Sequence, residues 1–384
     1  MSTPLLITGA AASSVAVGFV PALVDSLGDA LRQQLRGRER WVEWTLHIFY
    51  ICWLPLMPLA GWAADHGRTK EVLFFGLLGC ALGVAWLGLA NSLRSLLTSV
   101  LVLSAGYSCL ATAGVRLMPV AFGFGANPST MAKVNLGFVL VVFGAVLAPW
   151  IVGALQKRWG YRQGLLYTSL ALVVAAGLVF LVSRDLLPAP GGPTVPGWSE
   201  PLGDYRLWLI AFAILFYFAI ENCTEVWPAL YLKELGFQGR GLAFALLLFW
   251  GAFLLARLGC GWLPQRTAAH EVWLLFGLAG LSALALGNLV GAGEYSSGSL
   301  GVWLTGACYG PLLPGFLALV MDAFPQQQAT TVGFLLAFSG LDTVIVRPIM
   351  NRLAGRTTTR NLMKAPLLLA LFIAAILLGL ALLR

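Results

Sequence analysis

Apolar residues in this 384-residue chain gather in runs of membrane length. They predict helices over 5–28, 43–64, 72–90, 95–119, 133–155 and 163–183, then over 206–232, 241–262, 271–291, 299–321, 330–351 and 365–383. A bilayer core about 30 Å thick takes about 20 apolar residues per helical crossing. The chain is long enough for twelve such crossings and too short to add a soluble domain. The expected fold is therefore all-α, a polytopic membrane protein of twelve transmembrane helices. The longest interruption, 184–205, is rich in proline and glycine and cannot hold a spanning helix. It separates an N-terminal six-helix bundle at 1–183 from a C-terminal one at 206–384 and reads as a linker.

Composition sharpens the class. Hydrophobic residues make up 59% of the chain, charged residues 10%, and mean hydropathy is +0.84, against about 45–50% apolar in an ordinary soluble domain. Folded in water, such a chain would expose apolar patches that soluble monomers rarely carry, so a soluble enzyme is excluded. The six cysteines lie in apolar stretches with no CxxC spacing and read as packing residues, neither a disulfide framework nor a metal cluster. No Lys or Arg precedes Arg32, so the first apolar stretch is expected to stay in place as a membrane helix and not to be a cleaved leader. Neither GxxxxGK[ST] nor HExxH occurs. The GxG of FGFGANPST, from Phe122, opens no strand-helix unit. No cofactor, no metal and no nucleic-acid partner are expected.

The two halves repeat. GWAADHGRTKEVLFFGLLG starts at Gly61 and GWLPQRTAAHEVWLLFGLAG at Gly261, so Gly-Trp and Glu-Val (Glu71, Glu271) recur at an offset of 200. NLGFVLVVFGAVLAPWIVG, from Asn135, matches TVGFLLAFSGLDTVIVRPIM, from Thr331, with Gly137 and Pro149 answered by Gly333 and Pro348. Two six-helix pseudo-repeats with a site at the membrane midplane form a transporter architecture.

The segment PLAGWAADHGRTKEVL resembles the loop signature of the major facilitator superfamily. Gly61, Asp65, Gly67, Arg68 and Lys70 match it, with one residue missing between Asp65 and Gly67 and with His66 where an arginine is common. The resemblance implies a conformational latch at Asp65, Gly67 and Arg68, since a carboxylate and a guanidinium at a helix end can hold one conformation and release in another. FYFAIENCTEVWPALYLKELGF is similar to the seventh helix of the fucose permease and sugar symporter branch, with Glu221, Trp227 and Tyr231. LLFWGAFLLARLGCGWL resembles its eighth helix, with Trp250, Gly251 and Arg257, and ACYGPLLPGFLALVMDAFP its tenth, with Pro311 and Pro314. Asn135, Gly144 and Pro149 stand where the branch has its fifth-helix Asn, Gly and Pro. The resemblance further implies a cavity built by spans 1, 4, 7 and 10, a bacterial inner-membrane location, cytoplasmic termini, a cytoplasmic linker at 184–205 and function as a monomer.

Ionisable groups inside a bilayer are costly, so each is a functional candidate. Glu221 and Glu225 are four apart and share a helix face with Tyr217 one turn earlier. Neighbouring carboxylates in apolar surroundings favour keeping a proton on one of them, which makes this pair the candidate for proton coupling. The alternative is pairing with Arg257 or Arg347. Asp342 and Arg347 are five apart, about 140° around a helix, so each needs another partner. Arg257, Asp342, Arg347 and Asn135 are read as structural or charge-pairing residues. Arg116 meets either a solute anion or a carboxylate. Tyr107, Tyr217, Asn222, Trp227, Trp250 and Tyr309 supply the apolar faces and hydrogen-bonding tips that line sites for polar organic ligands. His47 and Tyr50 are weighed for proton transfer against plain packing.

Together these readings predict a secondary active transporter of a small organic solute, working by alternating access and coupled to protons. The alternative in the same class is a proton-driven exporter of drugs or metabolites, since Gly144, Pro149 and Gly153 partly match the antiporter signature. From another class, a receptor or a lipid-handling protein is weighed. Net charge is +8. The odd-numbered loops hold the larger share of the basic residues, including Arg32, Arg36, Arg38 and Arg40, then Lys157, Arg158 and Arg162, then Arg352, Arg356, Arg360 and Lys364. The positive-inside rule would put these loops in the cytoplasm, whereas the resemblance puts the loop of Asp65 there. Following the resemblance, the outer mouth is basic and gathers anions, so an anionic solute is expected beside protons and membrane lipids as partners.

Overall fold

In lipid every backbone N–H and C=O must find a partner within the chain, which leaves helices as the element for apolar runs of this length. The computed structural model describes residues 2–34, 39–123, 127–182, 197, 199–234, 239–263, 268–291, 295–354 and 356–383; some side chains within these ranges, including those of 222–230 and 347, lie outside the description. All regular structure among the described residues is helical: α1 (Ser2–Gln34), α2 (Glu39–Ile51), α3 (Trp53–Ala63), α4 (Thr69–Leu89), α5 (Leu93–Ala121), α6 (Thr130–Phe180), α7 (Ser199–Gly203), α8 (Tyr205–Glu234), α9 (Gly239–Cys260), α10 (Ala268–Gly291), α11 (Tyr295–Tyr309), α12 (Leu312–Ala323), α13 (Gln328–Leu341), α14 (Arg347–Ala354), α15 (Thr359–Leu362) and α16 (Lys364–Leu382). Wider π-type turns at Ala64–Arg68 and Asp342–Val346 join α3 to α4 and α13 to α14.

Eight helical stretches among the described residues are long and apolar enough to cross a membrane. Two are far longer than one crossing needs, Arg40–Leu89 with 50 residues and Thr130–Phe180 with 51. At 1.5 Å per residue each would measure about 75 Å, more than twice the bilayer core. Both are broken where the chain takes a positive φ, at Gly67 (φ 79°, ψ 9°) and at Gly160 (φ 82°, ψ 168°). Those conformations are open to glycine and strained for other residues. The breaks fall in the loops expected after the second and fifth spans, but the helix runs on to within a residue of Gly160 where the sequence suggested a longer loop.

The chain divides into two compact units. The first comprises Met1–Phe122, Gly137–Ser199 and Phe324–Gly340; the second comprises Gly123–Leu136, Glu200–Ala323 and Leu341–Arg384. Each half of the sequence thus gives the lead-in of one long helix, the start of α6 or most of α13, to the unit formed by the other half. In the first unit α4 packs on α5 at backbone distance, because a side chain at Gly83 would strike Leu103 and one at Gly106 would strike the backbone of Gly79 and Cys80. Small residues allow such approach where no hydrophobic drive between helices exists. Large apolar side chains point outward, among them Trp150 at 77% and Leu284 at 71% exposure, as a lipid-facing surface requires. Cys52, Cys80, Cys109, Cys260 and Cys308 are free thiols, and Cys223 lies outside the described side chains.

Before α8, Asp204 caps the helix by accepting from the Arg206 backbone N–H at 2.8 Å. The Arg206 side chain donates to the same carboxylate at 2.9 and 2.5 Å and holds it below the usual carboxylate range.

Candidate functional site

In the second unit α8, α9 and α11 bring together four of the residues singled out in the sequence. Tyr217 on α8 and Tyr309 on α11 are both buried and stack with ring centroids 4.7 Å apart and planes 13° from parallel. The Tyr309 hydroxyl donates to the Tyr217 carbonyl at 3.4 Å. Arg257 on α9 is buried; its Nε donates to the Gly310 carbonyl at 2.7 Å, just past the end of α11, and its guanidinium lies 4.3 Å from the centre of the Phe253 ring. Glu221, one turn beyond Tyr217 and half-buried, is within electrostatic reach of both Tyr217 and Arg257. Trp250 stands edge-on to Phe249 and Phe253 and is half-buried. The close approach of α11 to α9 depends on Gly306 and Gly310, four apart, whose missing side chains leave room for the Phe249 and Phe253 carbonyls. A carboxylate, a guanidinium and two phenols thus lie close together in an apolar bundle.

The first unit holds a second cluster. Asp65, in the turn after α3, is fully buried. It accepts from the backbone N–H of Ala329 at 3.1 Å and of Thr330 at 2.8 Å, and from the Thr330 hydroxyl at 2.7 Å. These groups open α13, where unpaired N–H groups and the positive end of the helix dipole favour an anion. The guanidinium partner is not the neighbouring Arg68, which is exposed, but Arg116 on α5, with Nη1 3.5 Å from Asp65. Arg116 also donates to the Ala64 carbonyl and, at 2.9 Å, to the Thr69 hydroxyl. Of the two roles considered for Arg116, the carboxylate pair is therefore the one it occupies here. Gly67 supplies the left-handed turn that returns the chain into α4.

Tyr107 is packed against Trp53 and Phe49, with centroids 4.9 and 5.7 Å away. Tyr50 joins this group at 4.8 Å from Trp53 and donates its hydroxyl to Asp25 at 2.7 Å. Asp25 was missed in the sequence, although it lies in the first candidate span and the rule applied to Glu221 covers it. His47 bonds through Nδ1 to the Glu43 carbonyl in its own helix.

Asn135 is buried and donates to the Met131 carbonyl at 2.9 Å, one turn back in α6. Asp342 is buried in the turn after α13. The side chains of Asn222, Glu225, Trp227 and Arg347 lie outside the described residues. Among the described residues no cluster of His, Cys, Asp and Glu could hold a metal ion.

The family model described as Major Facilitator Superfamily matches residues 4–345. An uncharacterized MFS-type transporter of Escherichia coli K12, YhhS, is 26% identical over 322 residues, 80% of this chain and 76% of its own. Two solved folds align over 99% of both chains. The crystal structure of a bacterial homologue of the iron transporter ferroportin, outward-facing, has a TM-score of 0.76 at 17% identity. That of the E. coli fucose:proton symporter FucP has a TM-score of 0.71 at 18% identity.

Proposed function

Because the chain belongs to the major facilitator superfamily, we propose that it is a secondary active transporter moving a small organic solute by alternating access, with protons as the coupling ion. The family makes it a multi-pass membrane transporter and not an enzyme. The observation that carries the finer reading is the group of buried Tyr217, Tyr309 and Arg257 with half-buried Glu221 beside them. A half-buried carboxylate within electrostatic reach of a buried guanidinium takes up a proton at the expense of that attraction, which links protonation to the packing of α8, α9 and α11. That one fold neighbour is a fucose:proton symporter is consistent with this assignment.

The bundles are assigned to 1–183 and 206–384, with the linker at 184–205, and the chain is read as twelve crossings. Cutting Arg40–Leu89 at Gly67 and Thr130–Phe180 at Gly160 turns the eight long stretches into ten, and α8 and α9 supply the last two. Asp65 acts as the conformational latch through its grip on α13, with Gly67 setting the turn. Cytoplasmic termini in a bacterial inner membrane and an anionic solute follow from the family orientation and the basic odd-numbered loops. Arg116 no longer contributes to the anion argument, since Asp65 occupies it.

The test is uptake into proteoliposomes. A thermal-shift screen against sugars, organic acids, nucleosides and amphiphilic drugs first identifies a solute, because specific binding raises apparent stability by mass action. Accumulation of that solute against its gradient, driven by an imposed pH difference, is the expected result; flux that ignores the pH difference rejects proton coupling.

A further inference from the structure

The α6 break presents a surface that the transport reading counts only as part of a basic outer mouth. Lys157 and Arg158 precede Gly160, Arg162 follows it, and all three side chains are exposed. No Asp or Glu occurs anywhere in α6, and none of the three bases is in an ion pair among the described residues. Arg158 lies over Trp159, 4.8 Å from the ring centre, and Trp159 meets Tyr167 with centroids 5.0 Å apart. Two further donors of the same turn, Gln156 Nε2 and the Tyr161 hydroxyl, are buried without a hydrogen-bond partner. The turn therefore holds an excess of donors and positive charge and no carboxylate. Away from the tip, the flanking helical arms turn apolar side chains outward, with Trp150 77%, Leu170 58% and Ile151 40% exposed.

We propose that this tip is a binding site for an anionic phospholipid, with the phosphodiester held by Lys157, Arg158 and Arg162 and an acyl chain lying along the apolar face of α6. Trp and Tyr sit at the headgroup level of membrane proteins because their rings are apolar and their tips polar, and Trp159 and Tyr167 place that level beside the three bases. Each Lys or Arg near an anionic membrane surface adds to the attraction. Three together give a preference for an anionic over a zwitterionic lipid of tenfold or more. A free phosphate shares the headgroup chemistry but has no acyl chain, so it would bind the bases without using the apolar face.

The experiment uses the full chain purified in a neutral detergent and titrated with phosphatidylglycerol, phosphatidylcholine or inorganic phosphate, with the thermal midpoint as readout. Phosphatidylglycerol is expected to raise the midpoint at about a tenth or less of the phosphatidylcholine concentration, and phosphate to raise it little. The triple variant Lys157→Gln, Arg158→Gln, Arg162→Gln should lose the preference while keeping its response to phosphatidylcholine, which shows that it folds. The charge-keeping variant Lys157→Arg, Arg158→Lys, Arg162→Lys should retain it. Equal response to the two lipids, or a preference that survives in the glutamine variant, overturns the proposal. Stabilisation by phosphate equal to that by phosphatidylglycerol overturns the lipid as the ligand.

Discussion

Asp65 and Thr330 are joined twice: the Thr330 backbone N–H and its hydroxyl both donate to one carboxylate oxygen, at 2.8 and 2.7 Å. The same carboxylate faces Arg116, so it serves a helix N-terminus and a buried cation at once. The two partners are not equivalent. Removing Asp65 takes from buried Arg116 the carboxylate 3.5 Å from its Nη1 and from the start of α13 an acceptor of three hydrogen bonds, and breaking a buried ion pair costs about 3–5 kcal/mol. Without Arg116, Asp65 keeps three hydrogen bonds from α13. Asp65→Ala is therefore expected to lower the thermal midpoint well beyond Arg116→Met, and a comparison of melting curves decides it. Equal losses would mean that the ion pair, not the grip on α13, holds the turn.

The latch reading adds a kinetic expectation. Asp65→Asn keeps the shape of the side chain but removes its charge, so solute turnover should fall while equilibrium affinity stays within about twofold, because the change acts on a conformational equilibrium and not on the solute's contacts. Parallel loss of affinity and turnover, measured by equilibrium binding and initial-rate uptake, would place the turn in the binding site instead.

Packing in the second unit yields a third test. A side chain at Gly306 would collide with the Phe249 carbonyl, whereas one at Gly280 in α10 would meet nothing within 4 Å. Gly306→Ala should destabilise by about 1–3 kcal/mol, as overpacking does. Gly280→Ala should be neutral or stabilising by up to about 1 kcal/mol, from the better helix propensity of alanine. Thermal midpoints of the two variants settle the contrast.

Much of this was legible in the apolar runs. Their length and apolarity anticipate an all-helical chain, since such runs admit little else in lipid, and Gly67 and Gly160 fall in interruptions between them. Side-chain partners were less so. Asp65 is marked by its loop signature, yet Thr330 lies 265 residues away and no local spacing points to it. Arg68 looked like the partner because it is near in sequence, but the helix return at Gly67 leaves it outside while Arg116 reaches in from α5. Tyr217 and Tyr309 were both named as site residues, but their stacking depends on how closely α8 and α11 approach, which sequence spacing does not encode. Asp25 was readable and overlooked, a carboxylate near the end of an apolar run.

Orientation is open to direct measurement. With the native cysteines replaced, a membrane-impermeant thiol reagent added to intact cells is expected to modify a cysteine introduced at Arg36 or Arg356 and to miss one at Thr69. The opposite pattern would set the basic odd-numbered loops in the cytoplasm, in line with the positive-inside rule, and would remove the argument for an anionic solute at the outer mouth.

Proton coupling at Glu221 is tested most directly by following protons. Proteoliposomes holding a pH-sensitive dye are given a gradient of the solute found by thermal shift, with no pH difference imposed. Wild-type protein is predicted to move protons with the solute. Glu221→Gln should abolish that movement while solute exchange between equal concentrations continues, since exchange requires no net proton release. Glu225→Gln should be milder. Proton movement of wild-type size in Glu221→Gln would contradict the assignment, and solute flux with no proton movement in the wild-type protein would contradict coupling itself.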